Sequence, residues 1–249
     1  MNNYDEINNH FTELCLRYRV PVTILTTADP AAPIFHVSED NTPIVITMNT
    51  SNISLEEYPV YIGYAVRKVL LPRLRLETDR LLLRRVTPED AEGCFSFLSN
   101  VQDAYMDGRI SYSDMNEEYH ELIALFCERE SQYALTLKES GEIIGTVNVF
   151  ADNSRAVDAM EIGYSVAHAH QRKGYAFEAL SALLDLLQRE LYLELVTAGV
   201  LPENTASQKL LLKLGFHQEG LRHKSLWHEA LGKPVDMIYF YKDRQENFL

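Results

Sequence analysis

The chain has 249 residues, of which 46% are hydrophobic and 24% charged, a balance that supplies a real apolar core without any run near the ~20 apolar residues of a bilayer span. A net charge of −13 opposes non-specific binding to nucleic acid, which needs clustered cations, but tolerates an amine-bearing acceptor. The three cysteines, Cys15, Cys94 and Cys127, are scattered without metal or disulfide spacing, so free thiols are expected.

The first residues, Met1-Asn2-Asn3-Tyr4-Asp5-Glu6, lack the basic-then-apolar order of a secretory leader, and a cytoplasmic location is expected. Ile7, Phe11, Leu14 and Tyr18 recur at helical spacing and predict a helix over 5–19. Short β-branched runs follow at 20–25 and 43–48, separated by the turn-rich segment 27–33. A helix or extended segment over 55–71 ends at Pro72. Residues 1–75 therefore read as a small α+β extension. His10 and His36 are isolated and suggest no metal site. Capping a site, homodimerisation and binding a partner are all open to it.

From residue 76 onward strands and helices alternate. A strand over 80–85 leads to Thr87-Pro88-Glu89-Asp90, where Thr87 suits a helix N-cap, Pro88 the first turn and Asp90 a capping box. A polar stretch, 100–113, precedes a helix over 114–130. Strands over 132–138, 143–150 and 156–166 form a meander whose breaks, 139–142 and 152–155, read as hairpin turns. A helix over 177–191 and a strand over 193–200 come next. Asn204 starts a further helix, and Gly215 stops it.

The segment His170-Gln171-Arg172-Lys173-Gly174-Tyr175-Ala176 lies between a strand and a helix. Such a turn leaves backbone N–H groups unpaired at a helix start, where the helix dipole adds partial positive charge. Gly174 leaves room for a ligand to approach, and Arg172 and Lys173 add full charges. The turn suits a phosphate or pyrophosphate. Neither the three-glycine dinucleotide pattern nor the Gly-Lys-Ser/Thr phosphate loop is present.

Gln171, Gly174 and Ala176 fit the spelling Gln/Arg-x-x-Gly-x-Gly/Ala, which resembles the acetyl-CoA pyrophosphate loop of the GNAT superfamily of N-acetyltransferases. Asn204, Ser207 and then Leu214-Gly215-Phe216 follow in the order that superfamily uses. Segment 76–84 looks like the first strand of the branch that acetylates ribosomal-protein N-termini. Segments 217–222 and 235–241 are similar to its last two strands. The resemblance runs from about Arg75 to Gln245. It implies a 76–249 acetyltransferase domain of α/β class: a mostly antiparallel, splayed central sheet flanked by helices.

It also implies acetyl-CoA as co-substrate, no metal, and acceptors that are small amines or protein N-termini, attacked directly in a ternary complex. By resemblance the backbone of Gln171, Arg172, Lys173, Gly174, Tyr175 and Ala176 holds the pyrophosphate. The pantetheine arm lies in the splay beside Tyr164, Ser165 and Val166, facing Asn204 and Ser207. Asn204 reads equally as a helix cap. Strand alternation groups Glu161 with Gly163 and Ser165, opposite Met160, Ile162 and Tyr164. A half-buried Glu161 is the candidate general base, set against a merely structural strand carboxylate. Many members place a tyrosine four residues after the Ser207 position. Leu211 stands there instead, leaving Ser207 to face the leaving thiolate.

Tyr105, Asp107 and Trp227 are candidates for an amine-binding wall. Asp236 reads as a turn or hydrogen-bonding residue. The missing tyrosine also admits a second reading, a CoA-binding sensor or scaffold without catalysis.

Overall fold

Phe11, Leu14 and Cys15 are fully buried on one stripe of α1 (Asn3–Arg17), the helical period read from the sequence. In the computed structural model, which describes residues 3–39 and 42–245, α1 covers a three-stranded sheet. Its strands are β1 (Val22–Thr27), β2 (Phe35–Ser38) and β3 (Ile44–Asn49). β3 is central, parallel to β1 and antiparallel to β2. The pattern reading did not include β2, which is too short and too half-exposed to show alternation.

The segment predicted as helix or extended chain is α2 (Tyr58–Leu70), with Pro59 in its first turn. α2 makes no isolated unit with its sheet. Ile62, Val66, Val69 and Leu70 join one continuous apolar core with Leu180, Leu183 and Leu187 far along the chain. Polar contacts fix the docking. Arg67, only 4% exposed, donates to the Leu191 carbonyl at 2.6 Å and pairs with Asp158. Arg17 pairs with Glu190 at 2.7 Å.

Gly63 permits the contact. A Cβ built there would stand 2.3 Å from the Leu191 carbonyl oxygen, and backbone cannot yield as a flexible side chain does. Gly63→Val should therefore destabilise the protein by roughly 1–3 kcal/mol through overpacking, read as a lower urea midpoint at unchanged slope.

The second sheet has eight strands in the order β10-β11-β9-β8-β7-β6-β5-β4. β4 (Arg75–Glu77) and β5 (Leu81–Arg85) form a hairpin: β5 is the strand expected over 80–85, and the segment 76–84 that resembled a single first strand is divided between the two. Thr78 donates its N–H to the Leu81 carbonyl and turns the chain between them. β6 (Gln132–Leu137), β7 (Ile143–Ala151) and β8 (Ala159–Val166) are the expected meander. β9 (Leu195–Val200), β10 (His217–His228) and β11 (Lys233–Asp243) complete the sheet.

Every pairing is antiparallel except that of β8 with β9. Those two pair only at Ala159–Leu195, Met160–Val196 and Glu161–Thr197. Beyond Glu161 each continues without the other, so the sheet opens into the expected splay.

α3 (Ala91–Leu98) follows a short turn in which Thr87 and Asp90 form the predicted capping box. The stretch 100–113, read only as polar, contains α4 (Val101–Met106), capped by Asn100, whose Oδ1 accepts from the Asp103 N–H at 3.0 Å. α5 (Glu117–Glu128) buries Tyr119, Ile123 and Phe126 against one face of the sheet. On the opposite face lies α6 (Tyr175–Leu184), continued by a π-helical turn (Asp185–Glu190) where one longer helix was expected. α7 (Thr205–Lys213) stands at the mouth of the splay. No helix of the described residues is long and apolar enough to cross a membrane, and Cys15, Cys94 and Cys127 are free thiols.

Candidate active site

Gly174 at the head of α6 has φ +84° and Arg172 has φ +64°. Two left-handed residues flank Lys173, a backbone geometry that can present successive amides to an anion. For Gly174 this conformation is free of Cβ strain. For Arg172 it costs roughly 1–2 kcal/mol, a strain of the kind that persists where the surroundings over-determine it.

The surroundings do so. Gln171 Nε2 donates to the Val166 carbonyl and to Asp103 Oδ1, both at 2.9 Å, while Asp103 Oδ2 accepts from the His168 N–H at 2.8 Å. Burial pushes the Asp103 carboxyl up, against the pull of these donors. α4 is thus clamped to the loop by one buried acid. Across the loop, Arg80 donates to the Lys173 carbonyl at 3.1 Å, pairs with Glu178 at 2.6 Å, and lies 4.5 Å over the Tyr175 ring. Three cations, Arg80, Arg172 and Lys173, therefore border the seat in a chain of net charge −13.

From the loop the splay leads back along β8. Tyr164 and Ser207 bridge it, their hydroxyls 2.6 Å apart. Burial drives the Tyr164 phenol up to about 12, against the hydrogen bond from Ser207. Asn204 has the cap role weighed from sequence, since its Oδ1 accepts from the Ser207 N–H at 3.1 Å. Leu211 is fully buried one turn further along α7.

Glu161 sits where β8 and β9 part. Its carboxyl is raised first by burial and second by the charge of Asp152, while Arg222, Arg155 and the Gly199 backbone lower it. Asp152 behaves oppositely. Burial works to raise it, but donors from Ser154, Thr197 at 2.8 Å and Arg155 at 3.1 Å hold it down at about 2. Arg155 is itself fixed by Glu219 through two bonds of 2.6 Å. Burial and this ionised neighbour thus both raise the proton affinity of Glu161.

Glu161, Tyr164, Ser165, Asn204 and Ser207 all line one cavity of about 1130 Å³, ample for the end of an extended cofactor arm and a small acceptor. Asp107 and Trp227 also line it. Asp107 is paired with Arg109 at 2.5 Å, so its charge is already met, and Trp227 is 61% exposed. Tyr105 turns elsewhere: its ring stacks 4.6 Å from His228 and its hydroxyl meets Glu203 at 3.3 Å. Asp236 has the hydrogen-bonding role expected of it, accepting from the Lys224 N–H at 2.8 Å and meeting His223 at 2.9 Å.

Asp103, Asp152 and Arg80 are absent from the sequence-level site. Asp152 was legible only as a turn residue, and Asp103 only as one polar residue in a polar stretch.

A family model described as the acetyltransferase (GNAT) domain matches residues 80–217. The chain belongs to the GNAT acetyltransferase family. N-acetyltransferase YoaA of Bacillus subtilis is 32% identical over 174 residues, 68% of this chain and 98% of that one. The [ribosomal protein uS5]-alanine N-acetyltransferase of Escherichia coli is 31% identical over 163 residues, 60% of this chain and 81% of that one. A GNAT-family acetyltransferase structure from Bacillus anthracis superposes with a TM-score of 0.60 at 22% identity, over 70% of this chain and all of that one. This GNAT protein is accordingly an acetyltransferase with the family's mixed α/β fold.

Proposed function

We propose that this GNAT protein moves an acetyl group from acetyl-CoA to a primary amine by direct attack in a ternary complex. One observation carries the reading. A strained anion seat opens into an unpaired splay, and the splay ends at a carboxylate whose charge is disfavoured.

The loop amides of 171–176 bind the diphosphate, and the exposed edges of β8 and β9 beyond Glu161 receive the pantetheine arm as an added strand would be received. Acetyl-CoA, the donor used by the family, supplies an acyl group already activated as a thioester. Glu161 accepts the proton that the ammonium must lose, directly or through one water, and the freed nitrogen lone pair forms the new C–N bond. A β8 amide near Tyr164 or Ser165 donates to the carbonyl oxygen as charge gathers there. As the C–S bond breaks, the Ser207 and Tyr164 hydroxyls hydrogen-bond the departing sulfur, which leaves as the thiol by taking up a proton equivalent to the one the nitrogen releases as it becomes an amide. The nucleophile is the substrate's amine. Cys94 and Cys15 are buried, with thiols driven up to about 12, so neither offers a thiolate.

Thiol release from acetyl-CoA, followed with a panel of amines and short peptides, tests this. Acceptor-dependent turnover is expected. Thermal stabilisation by CoA with no acceptor turned over would leave a CoA-binding module, the reading that the buried Leu211 favours.

A further inference from the structure

The cavity that contains Glu161 is also walled by α2, outside the region the family model matches: Tyr64 and Lys68 line it together with Phe126, Arg129 and Gln132. We propose that α2 completes the acceptor site, and that the acceptor is a small primary amine carrying a carboxylate or other anionic group at its far end. The proposal rests on the acetyl-transfer reading above and names the substrate class of that same site.

Charge distribution along the cavity supports it. Of the arginines lining the wall, Arg67, Arg109 and Arg155 are matched by Asp158, Asp107 and by Asp152 with Glu219. Lys68 and Arg129 have no carboxylate partner among the described residues; each lies only over a ring, Tyr64 at 5.2 Å and Phe126 at 6.0 Å. Glu130 and Glu229 also line the cavity without a cation partner among the described residues; Glu229 accepts from the Ile110 N–H at 3.3 Å. Around Glu161 carboxylates prevail. Asp152, Glu161 and Glu219 outnumber Arg155 and Arg222. An ammonium is drawn toward Glu161, and an anion toward the unpaired Lys68 and Arg129.

A second observation, independent of charge, also points to a ligand. Gln132 is 2% exposed, lines the cavity, and its Oε1 has no hydrogen-bond partner among the described residues. A buried amide oxygen left unmet is costly. An acceptor with an N–H or O–H along its length would meet it once the amide, now closed off from solvent, turned toward the cavity, while Tyr64 and Phe126 cover its apolar part.

The test uses the full-length protein with acetyl-CoA and a series of ω-amino carboxylates from two to eight carbons, each beside its methyl ester. At the best chain length the acid should exceed the ester in kcat/KM by about tenfold, the size expected of an anion meeting two exposed cations together. Lys68→Met and Arg129→Met should each shrink that ratio, and together bring it near one, mainly through KM. Both positions are exposed, and CoA-induced stabilisation of the variants shows that fold and anion seat survive.

Equal turnover of acid and ester, or a preference that outlives both substitutions, overturns the proposal. So does stabilisation by CoA with no member of the series turned over while other amines are. Absence of both CoA binding and any turnover would instead strike the parent reading.

Discussion

Glu161→Gln is expected to lower kcat/KM for amine acetylation by about 10²- to 10⁴-fold, the range spanned by a positioned general base, while CoA-induced stabilisation stays intact. The pH profile separates a base from a mere neighbour. Burial and Asp152 raise the Glu161 carboxyl above its ordinary 4.5, so wild-type kcat/KM should climb through a limb lying above the usual carboxylate range. That limb should vanish in Glu161→Gln.

Stability gives an independent check, with a definite sign. Between the ordinary and the raised value, the folded protein keeps a proton that the unfolded chain has lost. Stability therefore falls as pH rises through that window. Glutamine does not titrate. Relative to wild type, Glu161→Gln should thus melt higher at pH 8 than it does at pH 4. A variant of undiminished activity, or one equally shifted at both pH values, would remove Glu161 as the base.

Gly174→Glu carries the other large effect. CoA at a hundredfold excess over its Kd should stabilise the wild type by about 2.7 kcal/mol, a Tm rise of roughly 5–10 °C for a chain of this size. Gly174→Glu should show no such rise. Two causes act together, and Gly174→Ala separates them. At φ +84° any side chain pays a backbone cost of roughly 1–2 kcal/mol, whereas the space is open, with Arg80 Nη2 at 3.5 Å as the nearest atom to an added Cβ. Alanine should therefore lower Tm but keep a CoA response. Glutamate adds a fixed negative charge inside a seat meant for a diphosphate, and that charge abolishes the response. Full CoA stabilisation of Gly174→Glu would refute the loop assignment.

Much of the scaffold could be read along the chain because its signals act between near neighbours. Thr87 and Asp90 are three residues apart and close their capping box wherever the helix lies. Asn204 caps α7 through Ser207 at the same spacing. Gly174 turns left-handed because only the local backbone demands it. Strand alternation placed Glu161 apart from Tyr164 before any fold was known, since the period of two holds for every strand. The local misreadings have local causes as well. β2 and α4 are four and six residues long, too short for periodicity to register, and the 76–84 run of apolar and basic residues hides the turn at Thr78 that divides β4 from β5.

What no local pattern contained is the chemistry's environment. Asp103 reaches Gln171 across 68 positions, Arg155 reaches Glu219 across 64, and Arg67 meets Asp158 across 91. A carboxylate's proton affinity depends on which charges and how little water surround it, and those are set only when distant segments pack. The sequence alone determined the glycine turn before α6, the strand that bears Glu161, and the family. Tertiary packing alone decided that Asp152 would press on Glu161, that Asp103 would brace the loop, and that α2 would stand in the wall of the same cavity. Spacing along a chain fixes neighbours within a turn or a strand, whereas burial and field arise from groups the backbone must travel far to bring together.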